Sequence, residues 1–151
     1  MRRVLLFLAV FGLVSVAWAA DDPFVGTWNM NPAKSKFSYP APKSFTVIFT
    51  AQDNGVKVVQ DMVEADGKAI HRSFALKYDG KDYPVTAPDQ DAISVKKPDP
   101  NTAEYVGKKN GKEVWRGRAV VFKDGKSITD IGSGKDAKGQ AFTYTYFLEK
   151  Q

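Results

Sequence analysis

The feature that most constrains this chain is its punctuation. Asp53-Asn54-Gly55, Ala65-Asp66-Gly67, Tyr78-Asp79-Gly80, Lys109-Asn110-Gly111 and Lys123-Asp124-Gly125 recur along it, most of them about 11–15 residues apart. Asn-Gly and Asp-Gly take the positive φ angles of tight hairpin turns at little steric cost. Between them lie short segments rich in Val, Ile, Thr, Phe and Tyr, often alternating with polar residues. Helical i, i+3, i+4 stripes are absent after the first twenty residues. Short alternating segments joined by hairpin turns predict an all-β meander, closed as a barrel or packed as a sandwich.

Ten strands are predicted: 24–30, 43–51, 56–64, 69–78, 82–86, 91–97, 102–108, 112–122, 126–133 and 140–149. An antiparallel up-and-down barrel is the expected arrangement, because closure leaves no exposed strand edge in so short a chain. The segment from Pro32 to Pro42 carries Pro32, Pro40 and Pro42. Proline lacks the N–H a strand ladder needs, so this segment is read as a loop crossing one barrel end. Pro98 and Pro100 mark a further turn.

The first nineteen residues stand apart. Arg2 and Arg3 precede an apolar run from Val4 to Val16, then Ala17-Trp18-Ala19. A basic start, an apolar run and an A-x-A site make a secretory signal peptide, expected to be cut after Ala19. The run is too short for a membrane anchor and ends in Asp21-Asp22. The domain is then 20–151, and the expected location is periplasmic or secreted. Without the leader the formal charge falls from +5 to +3 and the apolar share from 43% to about 38%. A charge of +3 with no long basic stripe makes nucleic acid an unexpected partner. With no Cys, a disulfide framework, a thiolate metal site and a thiol nucleophile are all excluded. One His cannot build a multi-histidine metal site. Walker loops, HExxH, Gly-x-Ser-x-Gly and DxDxDG motifs are absent. No catalytic residue, metal or cofactor is therefore expected.

Val25-Gly26-Thr27-Trp28-Asn29-Met30 at the start of the domain, followed by a β-meander, resembles the calycin superfamily of lipocalins, fatty-acid-binding proteins and avidins. It is most similar to the start of the fatty-acid-binding group, and Tyr146-Phe147-Leu148-Glu149-Lys150 resembles that group's closing strand. Asn31-Pro32-Ala33-Lys34-Ser35-Lys36-Phe37 and Tyr78-Asp79-Gly80-Lys81-Asp82-Tyr83-Pro84-Val85 resemble small exported bacterial lipocalin-like proteins. The resemblance implies a barrel whose lumen holds a small hydrophobic or amphipathic molecule. Two departures stand out. The two-helix lid of fatty-acid-binding proteins is replaced by the proline-rich loop. Tyr146 and Leu148 stand where that group places an Arg and a Tyr for a ligand carboxylate. Trp28 is expected to plug one barrel end, its indole N–H meeting a carbonyl.

Alternate residues of a barrel strand face the lumen. The aromatic face Phe142, Tyr144, Tyr146, Leu148 is the expected interior of the last strand. Arg72 shares a face with Ile70, Phe74 and Leu76, while Arg116 and Arg118 share one with Val114, Val120 and Phe122. Two readings of these arginines stay open. They point outward and pair with surface carboxylates, or they point inward and meet a ligand carboxylate bidentately. In strand 112–122 the opposite face, Trp115, Gly117, Ala119 and Val121, is equally suited to the interior. The candidate ligand-binding residues are Arg72, Phe74, Arg116, Arg118, Phe142, Tyr144 and Tyr146. His71 is read as a surface residue and Asp130 as an inward carboxylate. Phe37 and Tyr39 line a cavity mouth or pack as its lid.

The expected function is an exported, monomeric binding protein, not an enzyme, whose barrel holds a small hydrophobic or amphipathic ligand, an acidic one included. No stable membrane anchor is expected. The rival is an envelope protein-interaction module, a protease inhibitor or assembly factor, with a filled barrel.

Overall fold

The computed structural model describes residues 22–151. The expected leader, residues 1–19, lies outside the described residues. Eleven strands form one antiparallel sheet: β1 (Gly26–Met30), β2 (Lys36–Phe37), β3 (Ser44–Gln52), β4 (Gly55–Val63), β5 (Ala69–Leu76), β6 (Asp79–Pro84), β7 (Ala92–Asp99), β8 (Thr102–Lys109), β9 (Lys112–Val121), β10 (Ser127–Lys135) and β11 (Ala141–Lys150). The order is β5-β4-β3-β1-β11-β10-β9-β8-β7-β6, so sequence neighbours pair except where β1 joins β3 to β11. This is the expected meander, curled until its two edge strands meet.

The turn chemistry does what the sequence predicts. Asn110 (φ 51°) and Gly111 (φ 74°) fill a two-residue loop between the paired Lys109 and Lys112. Both central residues have positive φ, as hairpin loops of this length favour. The ten predicted strands all form, with small boundary shifts. The correction concerns the proline-rich loop, read as containing no strand. Its residues Lys36–Phe37 form β2, pairing with Tyr144 and Thr145 of β11. Pro32 and Pro40 flank this stretch without entering it, so its own N–H groups remain free to pair.

Closure is nearly complete. β5 meets the segment just after β6 through an isolated bridge, Ser73 with Thr86, where the Thr86 N–H donates to the Ser73 carbonyl over 3.3 Å. β6 is a poor partner there. Its ladder to β7 shifts register between Asp79 and Asp82, and it ends in Pro84.

One end of the barrel is plugged. Trp28 is fully buried, and its indole N–H donates to the Phe24 carbonyl at 2.7 Å. Gly26, at φ +135°, lets the chain pass close to Lys150, whose ammonium lies 5.1 Å from the Trp28 ring centre. Asp22 ties down the same end, accepting from the Tyr78 hydroxyl and the Lys97 ammonium, each at 2.8 Å. The loops 31–43, 64–68, 85–91 and 136–140 gather at the other end.

Candidate functional site

The interior is a cavity of about 860 Å³ running from Phe24 and Leu76 at the plugged end to Glu64, Lys135 and Gln140 at the other. That volume lies in the range of small-molecule sites. Its walls are mostly apolar, with Phe45, Val58, Phe74, Ile93, Ala119 and Leu148 among them.

The lumen stays open despite its aromatic content because of a repeated cross-strand pairing. Gly107 pairs with Trp115, Gly117 with Tyr105, Gly132 with Tyr144 and Gly134 with Phe142. In each pair the aromatic ring lies across its glycine, so that a Cβ added to the glycine would strike the ring. Four rings are thereby laid along the wall of β8–β11 instead of projecting across the lumen. The missing glycine side chains are the space they occupy.

These rings carry the polar centre of the lumen. The Tyr105 hydroxyl donates to Asp130 Oδ1, and its oxygen lies 2.9 Å from the Tyr144 hydroxyl. Burial pushes the Asp130 carboxyl up to about 6, partly offset by the Tyr105 hydrogen bond. Burial also raises the phenols of Tyr105 and Tyr144, with the Asp130 charge adding to both. A second polar group lies nearby. Tyr39 and Tyr146 hydroxyls are 3.4 Å apart, and the Tyr146 hydroxyl approaches Met62 Sδ at 3.6 Å. Phe37 packs edge-on against Tyr146 at 5.0 Å and Tyr39 lines the lumen, so the 31–43 loop covers part of the mouth.

Of the residues predicted from sequence, Arg72, Phe74, Phe142, Tyr144 and Tyr146 line the lumen. Arg72 faces inward with its side chain 12% exposed, but its guanidinium is occupied. Nε donates to Asp89 Oδ1 at 3.1 Å and Nη2 donates to Asp89 Oδ2. Arg116 and Arg118 are corrected: both lie on the outer surface. Arg116 is held by Glu113, with contacts of 2.5 and 2.6 Å, and Arg118 pairs across the strands with Glu104 and Ile131. The face Trp115, Gly117, Ala119, Val121 turns inward instead, which keeps two guanidinium groups in water. His71 is exposed and bonds Asp61 at 2.7 Å. Trp115 takes the inward position that sequence left open for its face, while Tyr105 and Asp89 are lumen residues that sequence reasoning missed. Tyr105 was accessible in principle, since it alternates with Ala103 and Gly107. The partner of Arg72 comes from a loop, where alternation says nothing.

No family model matches the chain, and none of the curated proteins compared with it does. Solved structures similar to it include the following two. One is EF1p2_mFAP2b bound to DFHBI, at 14% identity and a TM-score of 0.48, covering 85% of this chain and 94% of that one. The other is the zebrafish ileal bile-acid-binding protein complexed with cholic acid, at 8% identity and a TM-score of 0.49, covering 85% of this chain and 99% of that one.

Proposed function

We propose that this chain is an exported binding protein, periplasmic or secreted, that holds one small hydrophobic or amphipathic molecule in its lumen. The observation that carries the reading is the open, largely apolar cavity of about 860 Å³ with a few convergent polar groups at Asp130, Tyr105, Tyr144 and Arg72. Apolar walls favour the body of such a ligand through the area they remove from water. The same cavity argues against the rival interaction module, which requires a filled barrel. An acidic head would have to share Arg72 with Asp89. Holding is favoured over catalysis, since the hydrogen-bond partner of Asp130 among the described residues is the phenol of Tyr105, with no second carboxylate or histidine bonded to it to complete an acid–base pair.

Native mass spectrometry of the purified protein, followed by organic extraction, tests this. A co-purifying small molecule, or a rise in melting temperature with single-chain amphiphiles, is the expected result. A clean unliganded mass together with no thermal shift across such a panel would overturn it.

A further inference from the structure

We propose that the Asp130 end of this lumen takes a protonated amine carried on an apolar body. The proposal rests on the lumen being a ligand site and sharpens it to a head-group class.

The argument is one of hydrogens and lone pairs. Tyr105 has a single hydroxyl hydrogen, and it goes to Asp130 Oδ1. The hydrogen between the two phenols must therefore come from Tyr144. Both hydroxyl hydrogens are used inside the trio. What remains towards the lumen are acceptors: Asp130 Oδ2, without a hydrogen-bond partner among the described residues, and the Tyr144 oxygen. A primary ammonium carries three N–H donors and no acceptor. A carboxylate head would bring lone pairs to lone pairs, and a second negative charge to the first.

Charge points the same way. A carboxylate set in a mostly apolar lumen, half-buried as Asp130 is, is costly unless it is paired. Among the described residues no Lys, Arg or His forms an ion pair with Asp130. The one lumen-facing guanidinium, Arg72, is held by Asp89, and the lysines that line the cavity, Lys68, Lys109 and Lys135, belong to strand ends and loops at the mouth. The surroundings also suit a cation. Tyr105, which bonds the carboxylate, meets Trp115 at 5.2 Å between ring centres, and Tyr144 meets Tyr146 at 5.2 Å, so this part of the lumen is rich in aromatic rings. Aromatic faces attract ammonium groups, most strongly where water is excluded.

The titratable and charged groups around Asp130 are Tyr105 from β8, Tyr144 and Tyr146 from β11 and Tyr39 from the mouth loop, with Arg72 of β5 acting on Tyr39 and Tyr144. β9 presents Ala119. The phenols stay protonated through the neutral range, which leaves Asp130 as the group that changes charge.

Calorimetric titration of the purified protein with decylammonium, decanol and decanoate separates the possibilities. At about pH 8, decylammonium is expected to bind at least about tenfold more tightly than decanol, and decanoate more weakly than decanol. Asp130→Asn should bring decylammonium to the level of decanol measured on the same variant. A second arm uses the unmodified protein. Lowering the pH to about 5 protonates the carboxyl and should abolish the preference for the amine without changing decanol binding. Decanoate binding as tightly as decylammonium, or a preference for the amine that survives Asp130→Asn, would overturn the proposal. Decanol binding without that preference would overturn it alone. If none of the three probes binds, the lumen reading falls, and this one with it.

Discussion

A carboxylate in an apolar lumen leaves a mark on folding as well as on binding. Asp130 has its carboxyl raised by burial from an ordinary 3.8 to about 6, so the folded state holds this proton more firmly than the unfolded chain does. Its contribution to stability is present in full below about pH 4, is lost as the pH rises through about 6, and is absent above. The difference is on the order of 2–3 kcal/mol. Asp130→Asn keeps an acceptor for the Tyr105 hydroxyl and removes the charge. The variant should match the unmodified protein near pH 4 and exceed its stability by up to that amount near pH 8, as read by urea unfolding at both pH values. Glu113 and Glu149, held down by Arg116 and by Lys34 with Asn31, titrate alike in both proteins and cancel. A larger loss for Asp130→Asn at high pH than at low would refute the assignment. The inward carboxylate was legible from alternation with Ile128 and Gly132. That it sits beneath two phenols was not, because those phenols reach it from β8 and β11, and only register brings them there.

Register is decided at the level of the element, and here one extra residue decides it. The β8–β9 turn pairs Lys109 with Lys112 and Lys108 with Glu113. Continued regularly, that ladder would set Tyr105 against Arg116 and turn Arg116 and Arg118 into the lumen beside it. Instead Gly107 pairs with Trp115, leaving Val114 as a bulge, and every later pair moves by one. A one-residue slip exchanges the two faces of a strand. This is why hairpins were readable from Asn-Gly and Asp-Gly while the inner face of β9 was not: both faces carry enough apolar residues, and the bulge has no local signature. The slip has a physical beneficiary, since it seats the Tyr105 ring on Gly117. Gly117→Ala should therefore cost about 1–3 kcal/mol by forcing the ring off the wall. Combined with Tyr105→Ala, the same substitution should cost much less than in the parent, because the obstructed ring is gone. A double-mutant cycle by denaturant unfolding reads this coupling, and simple additivity would show that the glycine is not there for the ring. β2 escaped prediction for a different reason. Two residues between prolines carry no period, and only the waiting edge of β11 makes them a strand.

At the scale of the whole molecule, the proposed ligand must enter a cavity that is plugged at one end and partly covered at the other. The plugged end is held by Trp28 and Phe24, both buried, and by the Asp22 contacts to Tyr78 and Lys97. That leaves two routes: the mouth beneath the 31–43 loop, and the β5–β6 seam with its single bridge between Ser73 and Thr86. The seam is the weakest part of the sheet. Its amides should exchange with solvent faster than those of β10 and β11, which pair along their full length. Opening the seam would nevertheless expose Phe74 and Ile93 to water, whereas moving the loop disturbs mainly Tyr39 and Phe37, which are already partly exposed. The mouth is therefore the favoured entrance. Locking the seam separates the routes. Opposed residues of antiparallel strands lie within the span of a disulfide, and the chain has no other Cys to compete. Ser73 alternates with the inward Arg72 and Phe74, so a bridge built from Ser73→Cys and Thr86→Cys stays outside the lumen. Closing a loop of this size should add about 2–3 kcal/mol against denaturant. With the bridge oxidised, the association rate of decanol should stay within about twofold of the reduced form, since a route that does not use the seam is unaffected by tying it. A fall of about tenfold or more, reversed on reduction, would place the entrance at the seam instead.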